Sequence, residues 1–209
     1  MALSQMFRIC FLKQQNIMNT RRIAIFASGN GSNAQQIAEY FAGFSSVEIS
    51  AIYCNNKKAF VLERAKALNI PSILFDKDTF YNSDSILSDL TAKKIDWIVL
   101  AGFLWLIPGN ILKAFPQRII NIHPALLPAF GGKGMYGMRV HESAIASGYS
   151  ESGITIHYVN ENYDEGDVIF QARCRIDKID TAETLAAKIH RLEHEYFPRI
   201  IEKAMMPKS

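Results

Sequence analysis

The sequence is short of cysteine, of long apolar runs and of surplus charge, and each shortage closes off a class of protein. Its three cysteines, Cys10, Cys54 and Cys174, are odd in number and far apart, with neither CxxC spacing nor a histidine at ligand distance. A disulfide scaffold is thereby excluded, and a reducing cytoplasm is the expected compartment. Cys54 lies in an apolar run and reads as a small core residue. The apolar piece at residues 9–12 stops at Lys13-Gln14-Gln15-Asn16, far short of the roughly 20 residues that a membrane span needs. Net charge is only +3, with Lys and Arg interleaved among Asp and Glu, so no basic stripe for nucleic acid is present. There is also no serine nucleophile elbow and no metal-ligand cluster. Neither a covalent acyl-enzyme nor a bound metal is expected.

What is present is an ordinary globular composition, 49% hydrophobic and 21% charged over 209 residues, enough for one α/β domain. Residues 1–19 read as a poorly ordered extension and residues 20–209 as a single domain. Short apolar runs at 22–27, 47–54, 72–75, 96–100 and 118–122 read as strands. Amphipathic stretches at 34–41, 59–68, 83–93 and 107–115 read as the helices between them. That alternation predicts an open, mostly parallel, Rossmann-like sheet with helices on both faces. After His123 the pattern changes. Residues 124–140 read as a loop containing Gly131-Gly132-Lys133-Gly134, followed by a short helix at 142–147. Strands at 153–159 and 168–175 form an antiparallel pair, and a last helix at 181–204 opens on the capping signal Asp180, Thr181, Glu183.

The first strand runs straight into Ser28-Gly29-Asn30-Gly31-Ser32-Asn33 and then a helix. Glycines allow a tight turn and close approach of the backbone to an anion, which the free N–H groups of the helix start can hold. A dinucleotide site would add an acid at the end of the second strand, and here that strand ends Cys54-Asn55-Asn56. One phosphate held by Gly31, Ser32 and Asn33 is the reading that remains. The alternative is a plain turn in which Ser32 or Asn33 only caps a helix.

In Asn121-Ile122-His123-Pro124, strand alternation sends Asn121 and His123 to one face at the C-terminal end of the fifth strand, where open parallel sheets bind ligands. An amide donor beside an imidazole suits an acyl-type transfer, the amide for an oxyanion and the ring for a proton. The same pair could merely satisfy loop backbone. Asp164, at the sheet end after a second strand, is a carboxylate that would raise the histidine's pKa and fix its orientation. Glu161 and Glu165 read as solvated loop charges.

Taken together, the Ser28–Asn33 segment, Leu100-Ala101-Gly102-Phe103, the run from Asn121 through His123 to Pro128, the G-I-T-I-H-Y-V strand from Gly153, Asp164-x-Gly166 and Glu193-His194 resemble the glycinamide ribonucleotide formyltransferases, folate-dependent enzymes of purine synthesis. The resemblance covers the chain from about Arg22 to the last helix. It implies that the amine of a phosphoribosylated glycinamide attacks the formyl carbon of 10-formyltetrahydrofolate, a co-substrate. Asn121 and protonated His123 would stabilise the oxyanion while Asp164 keeps the ring charged. Gly31, Ser32 and Asn33 would hold the phosphate, and Glu193 the sugar or glycinamide. The pterin would lie against Leu104, Trp105, Leu106, Ile107, Asn121 and the turn from Asn160 to Asp164, with Thr155 behind. It also implies small-molecule partners only, as a monomer or homodimer. Three positions depart from the family pattern: Trp105 and Ser83 stand where arginines near the folate are common, and residues 131–137 form a longer loop in which Lys133 could reach a phosphate or ride on a lid. Related formyl-folate enzymes and a non-catalytic nucleotide-binding module are the alternatives.

Overall fold

The computed structural model describes residues 20–206; the extension expected at 1–19 lies outside them. Strand β1 (Arg21–Ala27) is buried on both sides, because its residues alternate between two cores. Ile23, Ile25 and Ala27 pack on one face of the sheet, and Ala24 and Phe26 on the other. This is the pattern of a central parallel strand. Around it stand β2 (Val47–Cys54), β3 (Ser72–Leu74), β4 (Trp97–Leu100), β5 (Ile119–His123), β6 (Glu151–Tyr158) and β7 (Val168–Arg175). They form one sheet in the order β3-β2-β1-β4-β5-β6-β7. The first five strands are parallel, and β6 and β7 add an antiparallel pair beside β5. The order reverses between β1 and β4, and the crevice at such a reversal, outside the carboxyl ends of the strands, is the natural ligand position.

Helices α1 (Ser32–Phe41), α2 (Val61–Ala67), α6 (Met138–Ala146) and α7 (Ala182–Met205) cover one face. Helices α3 (Lys77–Tyr81), α4 (Ser85–Ala92) and α5 (Gly109–Ala114) cover the other. The expected doubly covered, mostly parallel sheet with its antiparallel end is what the chain forms. The second core is aromatic: Phe26 stacks on Tyr53 with ring centroids 4.7 Å apart, and Phe75, Phe80 and Phe103 crowd edge-on or tilted around them.

Local differences have local causes. The sequence reading has no helix at α3, because five residues are too few to show a helical period. Asp76 makes it by accepting the Thr79 N–H at 2.8 Å. Helix α6 starts at Met138, four residues before the expected 142, since Gly137 at φ 57° turns the chain into it. Helix α7 begins at its expected cap, but Thr184 closes the capping box: its hydroxyl accepts the Thr181 N–H at 2.9 Å, and the Thr181 hydroxyl accepts the Thr184 N–H at 3.3 Å. In the antiparallel pair a Cβ at Gly153 would lie 2.0 Å from the Ala172 carbonyl oxygen, so only glycine permits that approach.

Candidate active site

Strand β5 ends as its sequence requires, with Pro124 stopping the ladder just after His123. Asn121 and His123 share a face and are paired across β6 with His157 and Thr155. The chain after β6 then turns back, and Asp164, in a left-handed conformation at φ 58°, brings its carboxylate onto both. Oδ2 of Asp164 lies 3.4 Å from Nδ1 of His123, and the amide of Asn121 points to Oδ1 of Asp164, also at 3.4 Å. The other ring nitrogen of His123, Nε2, donates to the carbonyl oxygen of Phe130 at 2.7 Å. Asp164 is held in turn by the Gly132 N–H at 2.9 Å. The expected trio is therefore a real constellation, and the loop that follows β5 is wired into it.

Burial is the largest influence on His123 and pulls its pKa below the ordinary histidine value; Asp164 and the Phe130 carbonyl pull it back only in part. Asp164 raises the pKa as expected, but burial outweighs it, and the net downward shift favours the neutral ring at rest. With Nε2 carrying the proton, Nδ1 is a free base beside a carboxylate, so a proton arriving there is paired at once. For Asp164 burial pushes the pKa up. The nearby rings of His157 and His123 and the Gly132 N–H nevertheless bring it below the usual carboxylate range.

The glycine loop is built as the sequence suggests. Gly31 takes φ 77° and forms the N-cap of α1, and a Cβ there would lie 2.4 Å from Cγ2 of Val61. No side chain caps this helix, so neither Ser32 nor Asn33 is spent as a cap and the first-turn N–H groups stay open to an anion. Arg64, which sequence reasoning passed over, braces the loop: its guanidinium donates to the backbone and side-chain oxygens of Asn30, each at 2.9 Å. Asn33 is tied differently from expectation. Its Nδ2 donates to Oε2 of Glu193 at 3.0 Å, and its buried Oδ1 has no partner among the described residues. Glu193 also accepts from Nδ1 of His190 at 2.9 Å, which raises the His190 pKa.

One cavity of about 680 Å³ is lined by Gly31, Ser32, Asn33, Leu104, Asn121, His123, Lys133, Asp164 and Glu193. His141 and His190 line it too, and the buried Nδ1 of His141 has no partner among the described residues. Both histidines escaped the sequence reading, because they sit on helices packed against the site rather than in its motifs. Trp105, Leu106, Ile107 and Asn160 do not line the cavity. Trp105 packs against Phe75, Phe80 and Phe103, Ile107 is in the core, the Leu106 carbonyl accepts from Tyr81, and Asn160 accepts the Asn162 N–H. Ser83 donates to the Thr79 carbonyl. Thr155 sits behind the trio: its buried hydroxyl donates to Ala125 O at 2.7 Å and accepts from Leu127 N and Gln171 Nε2, each at 2.9 Å. It pins the backbone leaving β5. Among the described residues no group of three or more His, Cys, Asp or Glu could hold a metal ion, and no helix is long and apolar enough to cross a membrane.

The formyl transferase family matches residues 21–201. A phosphoribosylglycinamide formyltransferase of Bacillus subtilis is 37% identical over 88% of this chain and 95% of its own length. A chloroplastic phosphoribosylglycinamide formyltransferase of Arabidopsis thaliana is 41% identical over 87% of this chain, which spans 64% of that protein's length. The crystal structure of phosphoribosylglycinamide formyltransferase from Bacillus halodurans superposes with a TM-score of 0.78 at 39% identity, covering 88% of this chain and 94% of that one. The sheet, the trio at its edge and these likenesses agree: the chain belongs to the formyl transferase family, in the branch of the phosphoribosylglycinamide formyltransferases.

Proposed function

We propose that this protein transfers the formyl group of 10-formyltetrahydrofolate to the amine of 5'-phosphoribosylglycinamide, giving formylglycinamide ribonucleotide and tetrahydrofolate in purine synthesis. The observation that carries this reading is the sharing of one cavity by an uncapped glycine-loop helix start and the Asn121–His123–Asp164 trio. An anion held at the loop directs the far end of a phosphorylated substrate toward the trio.

The substrate amine attacks the formyl carbon, and the carbonyl π electrons move to oxygen. Asn121 donates a hydrogen bond to that oxyanion, and His123 exchanges its Phe130 acceptor for it. The proton lost by the amine passes to the neutral ring at Nδ1, directly or through water, and the resulting imidazolium is paired with Asp164. Collapse returns the electrons to the carbonyl, breaks the bond from carbon to N10 of the folate and delivers the proton to that nitrogen. The folate occupies the side of the cavity at Leu104 and Asn121, and the phosphate the side at Gly31 and Ser32. Asn33 and Glu193, bonded to each other, face the sugar or glycinamide. The work is done by one domain from residue 20 onward, as a monomer or homodimer in the cytoplasm.

The test is a transfer assay with purified protein, following loss of the formyl group from the folate. Turnover is expected with phosphoribosylglycinamide and not with a UDP-amino sugar. Equal turnover on the sugar, or none on the ribonucleotide, overturns the substrate assignment.

A further inference from the structure

His157 is buried beside the trio, stands in the G-I-T-I-H-Y-V strand where the resemblance gives it no role, and is directly cross-strand from Asn121. Its Nδ1 lies 2.8 Å from the carbonyl oxygen of Tyr158, which can only accept, so Nδ1 carries a proton. Its Nε2 lies 3.1 Å from Nδ2 of Asn121. In the neutral ring the proton is on Nδ1, so Nε2, which stands 3.7 Å from Oδ1 of Asp164 and nearer to Asn121, is an acceptor and faces the NH₂ group of Asn121. The backbone supports this. Tyr158 is brought against the following turn at Gly166, where a Cβ would lie 1.7 Å from the same carbonyl oxygen and 3.5 Å from Nδ1 of His157. Only a glycine lets that carbonyl reach this position.

Resting on the formyl-transfer reading, we propose that His157 is a positioning residue, a fixed acceptor that decides which way round the Asn121 amide lies. The chain of control runs from Gly166 through the Tyr158 carbonyl and the His157 ring to Asn121. One N–H of Asn121 is committed to His157. The second is aimed at Oδ1 of Asp164 at 3.4 Å, longer than the usual range for such a bond, and is the one free to turn to the oxyanion. A flipped amide would offer the cavity only a carbonyl oxygen, which repels an oxyanion.

Three measurements test this. His157→Leu removes the acceptor, and kcat falls about tenfold or more with both KM values held within about twofold. His157→Gln supplies an acceptor oxygen and keeps kcat within about threefold of the parent. In an Asn121→Ala background, His157→Leu costs no more than about a further twofold, because there is no amide left to orient. Equal losses in the Leu and Gln variants, or fully multiplicative effects in the double variant, overturn the proposal. The tautomer is checked without any substrate by ¹⁵N imidazole shifts in the folded wild-type protein. A protonated Nδ1 with a bare Nε2 is expected, and a proton on Nε2 refutes the arrangement even if the transfer reaction is established. Conversely, a wild-type protein that shows this tautomer but no transfer refutes the function and leaves the geometry standing.

Discussion

Nε2 of His123 donates to the carbonyl oxygen of Phe130 at 2.7 Å, so the resting imidazole is latched to the loop that follows its own strand. Phe130 sits in a left-handed conformation at φ 56°, and two residues on the Gly132 N–H grips Asp164. The loop of residues 131–137 thus reaches the chemistry through backbone groups, which no side-chain motif records. Release of this latch is part of the proposed transfer step.

His123→Ala is expected to lower kcat at least ~100-fold while substrate binding is largely kept, the size associated with a proton shuttle and oxyanion donor. Equilibrium binding of the ribonucleotide alongside turnover separates the two effects. A drop of only a few-fold in kcat removes His123 from the reaction.

Asp164→Asn takes away the charge that would pair an imidazolium at Nδ1, while its amide oxygen can still accept the Gly132 N–H. Turnover should fall about 100-fold or more. In the wild type, Asp164 ionises below the usual carboxylate range and His123 gains its proton below the ordinary histidine range. Activity therefore declines on acidification, once His123 takes up a proton before the reaction begins. A kcat/KM profile that instead rises toward pH 5 contradicts the neutral resting ring.

Stability should fall along the same axis. Burial lowers the pKa of His123, His141 and His194 in the folded chain, whereas Glu193 raises that of His190. The unfolded chain takes up protons as the pH drops through the ordinary histidine value of 6.5, and the three depressed groups resist until lower pH. Their contribution is present above that value and is lost as the pH falls through their folded values. His190 works in the opposite sense, adding stability below 6.5 that is lost as the pH rises through its raised value. Three buried or partly buried groups act in the first sense and one half-exposed group in the second, so Tm is expected to be lower at pH 5.5 than at pH 7.5; an unchanged or higher Tm refutes this balance.

Thr155→Val keeps the shape and deletes the hydroxyl. The Ala125 carbonyl and Leu127 N–H lose their partner in a buried place, at a cost of about 1–3 kcal/mol. Urea unfolding should show a lower midpoint at unchanged slope. Turnover should drop as well, since this bond pins the backbone that carries His123.

Lys133→Met tests the glycine-rich loop against the phosphate. Lys133 lines the cavity, so its loss should raise KM for the ribonucleotide about fivefold, and less at high salt, where screening has already weakened the attraction. An unchanged KM leaves Lys133 as loop alone.

Much of the fold was legible in the order of residues. Short β-branched runs alternating with helical periods define a parallel sheet, because each strand must bury both faces. The motifs at Gly31, Asn121 and Asp164 are contiguous in sequence, so their local geometry follows from turns and strand alternation. The short helix at Lys77–Tyr81 and the early start of the helix at Met138 were not legible; a side-chain cap and a glycine turn make them, not a hydrophobic period.

The sequence by itself determined the sheet, its C-terminal edge as the site, and the residue types that stand there. Tertiary structure alone decided their electrical state and their partners. Burial lowers the pKa of His123, and desolvation is a property of the surrounding packing that no neighbour in sequence reveals. Asn33 bonds Glu193 across 160 positions, and Asn121 bonds His157 across 36, because strand register and helix packing set those distances. Hydrogen bonds depend on a few tenths of an ångström, and only the folded chain sets separations that finely.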